Sequence, residues 1–217
     1  MKLPILIEHE TSERKGVLQM TKIGLIRHGI TAWNKEGRAQ GSSDIPLHEE
    51  GLAEAERLAE RLGRESWDVI YSSNLLRAKQ TAEAIQEKTG SIPLHLDPRI
   101  REVGGGMIEG TTEAERLEKW GKDWREMDLG FEPKESIIHR GLEFLQEITD
   151  KHPGENVLIV SHGSFIRHLL RELVPHTDLS SPLKNTSITK LLIKDSQWIC
   201  ELYNCTKHLE VKQIESC

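Results

Sequence analysis

Residues 23–26 read IGLI, and the next three are Arg27, His28 and Gly29. A short apolar run of this kind suits a strand buried on both faces. An arginine beside a histidine at its end is costly to bury without partners. The pattern returns at residues 157–163, VLIVSHG, where an apolar run leads into Ser161, His162 and a glycine. A third run at residues 68–72, DVIYS, is followed by Ser73, Asn74 and Arg77. Few folds place polar residues so regularly just past buried strands.

Helical spacing separates the runs. Residues 48–62 carry Leu52, Ala55, Leu58, Ala59 and Leu62 on one stripe, and Gly63 fits the end. Ser73 or Asn74 can cap the next helix, residues 75–88, which stops at Gly90. Residues 136–151 turn Ile137, Leu142, Leu145 and Ile148 inward, and residues 164–173 form a helix halted before Pro175. Residues 93–96 add a short strand. Residues 188–193 and 198–203, around Asp195, Ser196 and Gln197, predict a terminal hairpin. Strands alternating with helices give an α/β fold, a mostly parallel sheet covered on both faces. Residues 37–44 are loop. Residues 103–135, a glycine-rich loop and then a polar stretch with Trp120 and Trp124, read as a small helical cap insertion.

In such sheets ligands bind beyond the carboxyl ends of the strands, where Arg27, His28, Arg77, Ser161 and His162 fall. Arg27 and Arg77 offer planar forks of donors that match phosphate oxygens. Asn34 adds neutral donors, and helix N-termini after Ser73 and Gly163 favour anions. The group describes a phosphate pocket, and a neutral imidazole in it can attack phosphorus to give a phosphohistidine. The leaving alkoxide then needs a proton. Glu102, in the glycine-rich loop, is the first candidate, with Glu109, Glu113 and Glu115 as rivals nearby. The arginines supply the charge stabilisation that a metal gives elsewhere, so no metal is required.

Composition narrows the partners. The chain has 217 residues with net charge −6, 36% hydrophobic and 29% charged, enough for one sizeable domain. No Lys/Arg run stands out, which disfavours nucleic acid. No apolar run is long enough to span a membrane, and the first twenty residues make a poor signal peptide. Cys200, Cys205 and Cys217 have neither zinc nor disulfide-framework spacing and read as reduced thiols, so a cytoplasmic protein is expected. Residues 1–19 read either as an expendable N-terminal extension, with translation starting at Met20, or as a true N-terminal arm. Residues 20–217 read as a single domain. The other histidines have no motif around them. His168 reads as packing or surface, and Trp120 and Trp124 as cap packing that can also roof the pocket.

Four segments in order carry a resemblance. They are residues 25–34, LIRHGITAWN, with 37–41, GRAQG, and 44–47, DIPL; residues 72–82, SSNLLRAKQTA; residues 101–103, REV; and residues 160–163, VSHG. Together they resemble the histidine phosphatase superfamily, in its phosphoglycerate-mutase-like branch, over about residues 22–195. The resemblance implies a three-layer α/β/α sandwich without metal or other cofactor. It implies His28 as the phosphohistidine nucleophile, His162 as the second histidine of the phosphate pocket, Arg27 and Arg77 as clamps and Asn34 as a phosphate ligand. It further implies Glu102 as proton donor, Gln40 and Gly41 near the substrate, and a small phosphorylated metabolite as partner; a homodimer is compatible with it. The chain departs from the family in one place. Where phosphatases often read Gly-x-Trp-Glu-Gly after the acid, residues 106–110 read Gly-Met-Ile-Glu-Gly, which puts Ile108 on the pocket wall in place of tryptophan. Mutases carry an adjacent arginine pair for the substrate, whereas Arg116, Arg125 and Arg140 are isolated. Mutases also tend to have asparagine where Ser164 stands. The expectation is a metal-independent phosphatase of small phosphomonoesters. The alternatives are a phosphoglycerate mutase and a non-catalytic binder of phosphorylated ligands.

Overall fold

Alternation of side chains along the buried strands sorts the core into two halves. The computed structural model describes residues 20–194 and 197–210, so the expected extension at residues 1–19, the hairpin tip at 195–196 and Cys217 lie outside the described residues. Strands β1 (Thr21–Arg27), β2 (Val69–Ser72), β3 (Leu94–Leu96) and β4 (Asn156–Ser161) run parallel, and β5 (Ile188–Lys194) and β6 (Gln197–Cys205) are added antiparallel. The sheet order is β3-β2-β4-β1-β5-β6. Ile23 and Leu25 of β1, Val69 and Tyr71 of β2, and Val157 and Ile159 of β4 point to one face. They pack there on helices α5 (Lys134–Lys151) and α6 (Gly163–Leu173). Ile26, Ile70, Leu158 and Val160 point to the other, onto α2 (Glu49–Leu62) and α3 (Leu76–Lys88). This is the expected α/β/α sandwich. Helix α1 (Ala32–Glu36) and helix α4 (Glu113–Trp120), the latter inside the expected cap, are short.

Two expected inward residues face outward. Leu52 is 44% exposed and Leu142 is 39% exposed, because the sheet-facing stripes are narrower than the spacing suggested. On α2 the buried set is Gly51, Ala55, Leu58, Ala59 and Leu62, and on α5 Phe144 replaces Leu142 as the large inward side chain. Neither Ser73 nor Asn74 is the N-cap of α3. Leu75 holds that position, and the Leu76 N–H donates to Asp44 Oδ1 at 2.6 Å, from a loop 32 residues away. Ser73 Oγ accepts from the Leu75 N–H one residue earlier.

Gly24 lies where β1 meets Trp67. A Cβ there would stand 2.8 Å from Leu158 Cδ2 and 2.9 Å from Trp67 Cη2, both in the core. Gly24→Ala is expected to lower stability by about 1–3 kcal/mol through overpacking. Urea unfolding of the two proteins would read this as a lower midpoint at unchanged slope.

The register of the central strands fixes where the site forms. Arg27 pairs with Ser161, and Ser72 with Val160, so β1, β4 and β2 end side by side. His28, His162 and Ser73 are each the next residue, at one rim.

Candidate active site

His28 is 2% exposed, and His162 and Arg77 are fully buried. The His28 and His162 rings lie 5.1 Å apart, centroid to centroid. A hydrogen bond sets the His28 tautomer. His28 Nδ1 donates to the Gly29 carbonyl at 2.7 Å, which leaves Nε2 with its lone pair. Ser73 Oγ accepts the Leu75 N–H and is hydrogen-bonded to His162 Nε2 at 2.8 Å. His162 Nδ1 is buried with no partner among the described residues.

Burial, then Arg27 and Arg77, hold the His28 pKa well below its ordinary 6.5. Burial, then His28, Arg77 and Arg27, do the same to His162. Both rings are uncharged at neutral pH, the form in which imidazole is a nucleophile. The arginines are pinned by carbonyls rather than carboxylates. Arg77 Nη1 and Nη2 donate to Ser43 O at 2.7 Å and Gly41 O at 2.9 Å, and Arg27 Nη1 donates to Leu183 O at 2.6 Å. Each keeps a buried Nε without a partner. Burial pushes the Arg77 pKa down to about 10, and the guanidinium still holds its charge at neutral pH.

Asn34 Oδ1 accepts from the Thr31 N–H, from Thr31 Oγ1 and from Asn185 Nδ2, which leaves the Asn34 amide nitrogen for a ligand. Arg27, His28, Asn34, Gln40, Gly41, Arg77 and Glu102 line one cavity of about 390 Å³, and His162 sits behind it against His28. Residues 38–41 and 102–105 and Ser164 of α6 thus meet around one cavity, with Gln40, Gly41 and Glu102 together as the resemblance implies.

Glu102 lies at the N-terminus of α6. Its Oε1 accepts from the Val103 and Phe165 N–H groups and its Oε2 from the Ser164 N–H. Arg140 fixes the loop from below, donating to the carbonyls of Arg99, Arg101 and Glu102 and to the Glu132 carboxylate. The rival acids are occupied elsewhere. Glu109 ties together Ser42, Ser43 and Gly105; Glu113 holds Arg116, Trp124 and Arg125; Glu115 closes the capping box of α4 and binds Arg38.

Several pocket residues escaped the sequence reading. His168 lines the cavity instead of serving only as packing or surface, one helical turn after Ser164. Phe131 and Val103 join Ile108, the one residue of the three expected on the pocket wall, in an apolar wall. Trp120 and Trp124 do not line it; Trp124 is buried between Arg116 and Arg125. Asn185 follows the last helix, in a segment with no motif, and its contacts with the His28 carbonyl and Asn34 had no sequence signal. Among the described residues no cluster of three His, Cys, Asp or Glu side chains could hold a metal ion, and no helix is long and apolar enough to cross a membrane. Cys200 and Cys205 are free thiols.

The depressed histidines make stability depend on pH. His208 joins them, pushed down to about 4 by burial and by Arg61 and Arg57. The unfolded chain binds protons at these imidazoles more readily than the folded one. Stability is therefore full above about pH 6.5 and declines as pH falls from there toward the depressed values. Thermal unfolding at pH 7 and pH 5 is expected to show a lower midpoint at pH 5, and His208→Gln to flatten that slope; an unaltered slope would exclude His208.

An uncharged, buried histidine near half-buried Arg27 and buried Arg77, at the carboxyl rim of the parallel strands, defines an α/β protein with a pocket suited to an anion. The histidine phosphatase superfamily (branch 1) matches residues 23–206, and the chain belongs to that superfamily. A metal-independent phosphoserine phosphatase of Arabidopsis thaliana is 34% identical over 202 residues, covering 88% of this chain and 84% of its own. A probable phosphoglycerate mutase, GpmB, of Yersinia pestis is 32% identical over 213 residues, covering 90% and 98%. The solved structure of a phosphoserine phosphatase from Entamoeba histolytica in complex with phosphoserine superposes with a TM-score of 0.73 at 29% identity, covering 88% of this chain and 100% of the other.

Proposed function

We propose that this chain hydrolyses small phosphomonoesters without a metal, through a phosphohistidine on His28. The observation that carries the reading is the His28 ring. It is uncharged, its Nδ1 proton is committed to the Gly29 carbonyl, which leaves Nε2 with its lone pair, and the ring lines one cavity with Arg27 and Arg77. Nε2 forms a bond to phosphorus as the ester P–O bond breaks. Arg27, Arg77, the Asn34 amide and His162 bind the phosphoryl oxygens, and the two arginines stabilise the charge spread over them in transit. Glu102 gives its proton to the departing alkoxide. In the second half it takes a proton from water, whose oxygen attacks phosphorus and frees His28 with release of phosphate. Gln40 and Gly41 border the substrate, and Gly41 also fixes Arg77 through its carbonyl. Both halves conserve charge and atoms with no further reactant.

The test is inorganic phosphate release from p-nitrophenyl phosphate in the presence of EDTA, comparing the protein with His28→Ala. Release by the unaltered protein alone supports the reading. Transfer to phosphoglycerate that requires a bisphosphate primer, without net release, would point to a mutase. Tight phosphate binding without turnover of any ester would point to a binder.

A further inference from the structure

The cavity is larger than a phosphoryl group needs, and its volume lies in the range of pockets that enclose a whole small ligand. The two parts of its lining differ in chemistry. Arg27 and Arg77 mark the phosphate end. The outer part is Val103, Ile108 and Phe131 with the backbone of Gly104 and Gly105, and beside these stand Glu102, His168, Ser164 and Arg38.

A second anionic group on the substrate would find little here. Arg38 is the one additional cation among the described lining residues, and it is already shared. Its Nε donates to Glu36 at 2.7 Å, and its Nη1 donates to both Glu115 oxygens and to the Gly110 carbonyl. The trio carries a net negative charge. Burial and the neighbouring Arg171 and Lys134 lower the pKa of His168, so it is neutral. Arg167, whose Nε has no partner among the described residues, lines an adjoining cavity that shares Arg27, Glu102 and Ser164 with this one, and it is not part of the apolar wall. A substrate carboxylate lying against Val103, Ile108 and Phe131 would therefore lose its hydration with no unshared cation in that wall to receive it, which is unfavourable. An uncharged apolar body would instead cover Ile108 and Phe131, and Phe131 is 37% exposed without it.

Resting on the phosphatase reading above, we propose that the site selects phosphomonoesters whose alcohol part is uncharged and apolar. It discriminates against those bearing a second anion, and Ile108 and Phe131 are its specificity-determining residues.

The experiment compares benzyl phosphate, O-phosphoserine and 3-phosphoglycerate. All three are esters of primary alcohols, so leaving-group chemistry is held nearly level. The full chain is expected to show a kcat/KM for benzyl phosphate at least about tenfold above the other two, the scale on which apolar pockets discriminate. Phe131→Ala should lower that value several-fold through KM, by a larger factor than it lowers the value for phosphoserine, as loss of contact with an apolar substrate body predicts. Phe131→Arg should narrow or reverse the preference by supplying an unshared cation. If phosphoserine or 3-phosphoglycerate is hydrolysed as well as benzyl phosphate, the inference fails while the phosphatase reading stands. Equal losses on all three esters in Phe131→Ala would remove Phe131 as a specificity residue. No phosphate release from any ester, by the unaltered protein or by His28→Ala, would overturn the phosphatase reading beneath it.

Discussion

His28→Ala is expected to reduce phosphomonoester turnover by about 10⁴-fold or more, because no other group on the rim can accept the phosphoryl group covalently. His162 is the nearest imidazole, but its Nε2 is bonded to Ser73 Oγ and the ring is fully buried behind His28, away from the cavity lining. Phosphate should still bind, since Arg27, Arg77 and Asn34 are held by the Leu183, Gly41, Ser43, Thr31 and Asn185 contacts and not by the His28 ring. The measurement pairs single-turnover chemistry with phosphate affinity. Turnover near that of the unaltered protein would place the nucleophile elsewhere. Loss of both turnover and phosphate binding would mean that removing the ring collapses the floor of the pocket.

Glu102→Gln should separate substrates by leaving group. With alkyl esters the departing alkoxide needs its proton, and the loss is expected at about 10²- to 10⁴-fold, the range of general acid catalysis. With p-nitrophenyl phosphate the leaving group departs without one, and the first half-reaction should be nearly unchanged. Glutamine keeps an oxygen to accept the Val103 and Phe165 N–H groups and gives up only the longer 3.3 Å bond from the Ser164 N–H, so two of the three contacts that hold the loop to α6 remain. Rapid-quench measurement of the first p-nitrophenolate burst, set against steady-state rates on benzyl phosphate, reads the difference directly. A uniform loss on both esters would make Glu102 a structural cap of α6 and not the acid.

Much of this was legible in the chain because each strand ends in a residue that a core excludes. Arg27, His28, Arg77, Ser161 and His162 could be placed at one rim from strand ends alone, and the sheet register supplies the rest. Glu102 could be named but not distinguished from Glu109, Glu113 and Glu115 by spacing. The cavity tells them apart, because Glu102 lines it and the other three are turned to loops and arginines outside its lining. Contacts made across long sequence distance left no local trace. Asp44 capping α3 and Asn185 reaching Asn34 are cases of this kind, because each depends on a loop whose path no periodicity describes. Leu52 and Leu142 misled because the helical stripe that meets a sheet is narrower than the set of apolar residues at helical spacing.

The phosphate floor is closed on itself. Asp44 caps α3, α3 carries Arg77, and Arg77 grips the carbonyls of Gly41 and Ser43 in the same loop that presents Asp44. None of the three contacts has its partner in place unless the other two do. The pocket is thus a cooperative unit that is assembled or absent as a whole. Opening it should release the Leu76 amide to exchange with solvent in the same event that unseats Arg77, so that one exchange rate reports whether the enzyme is ready to receive phosphate.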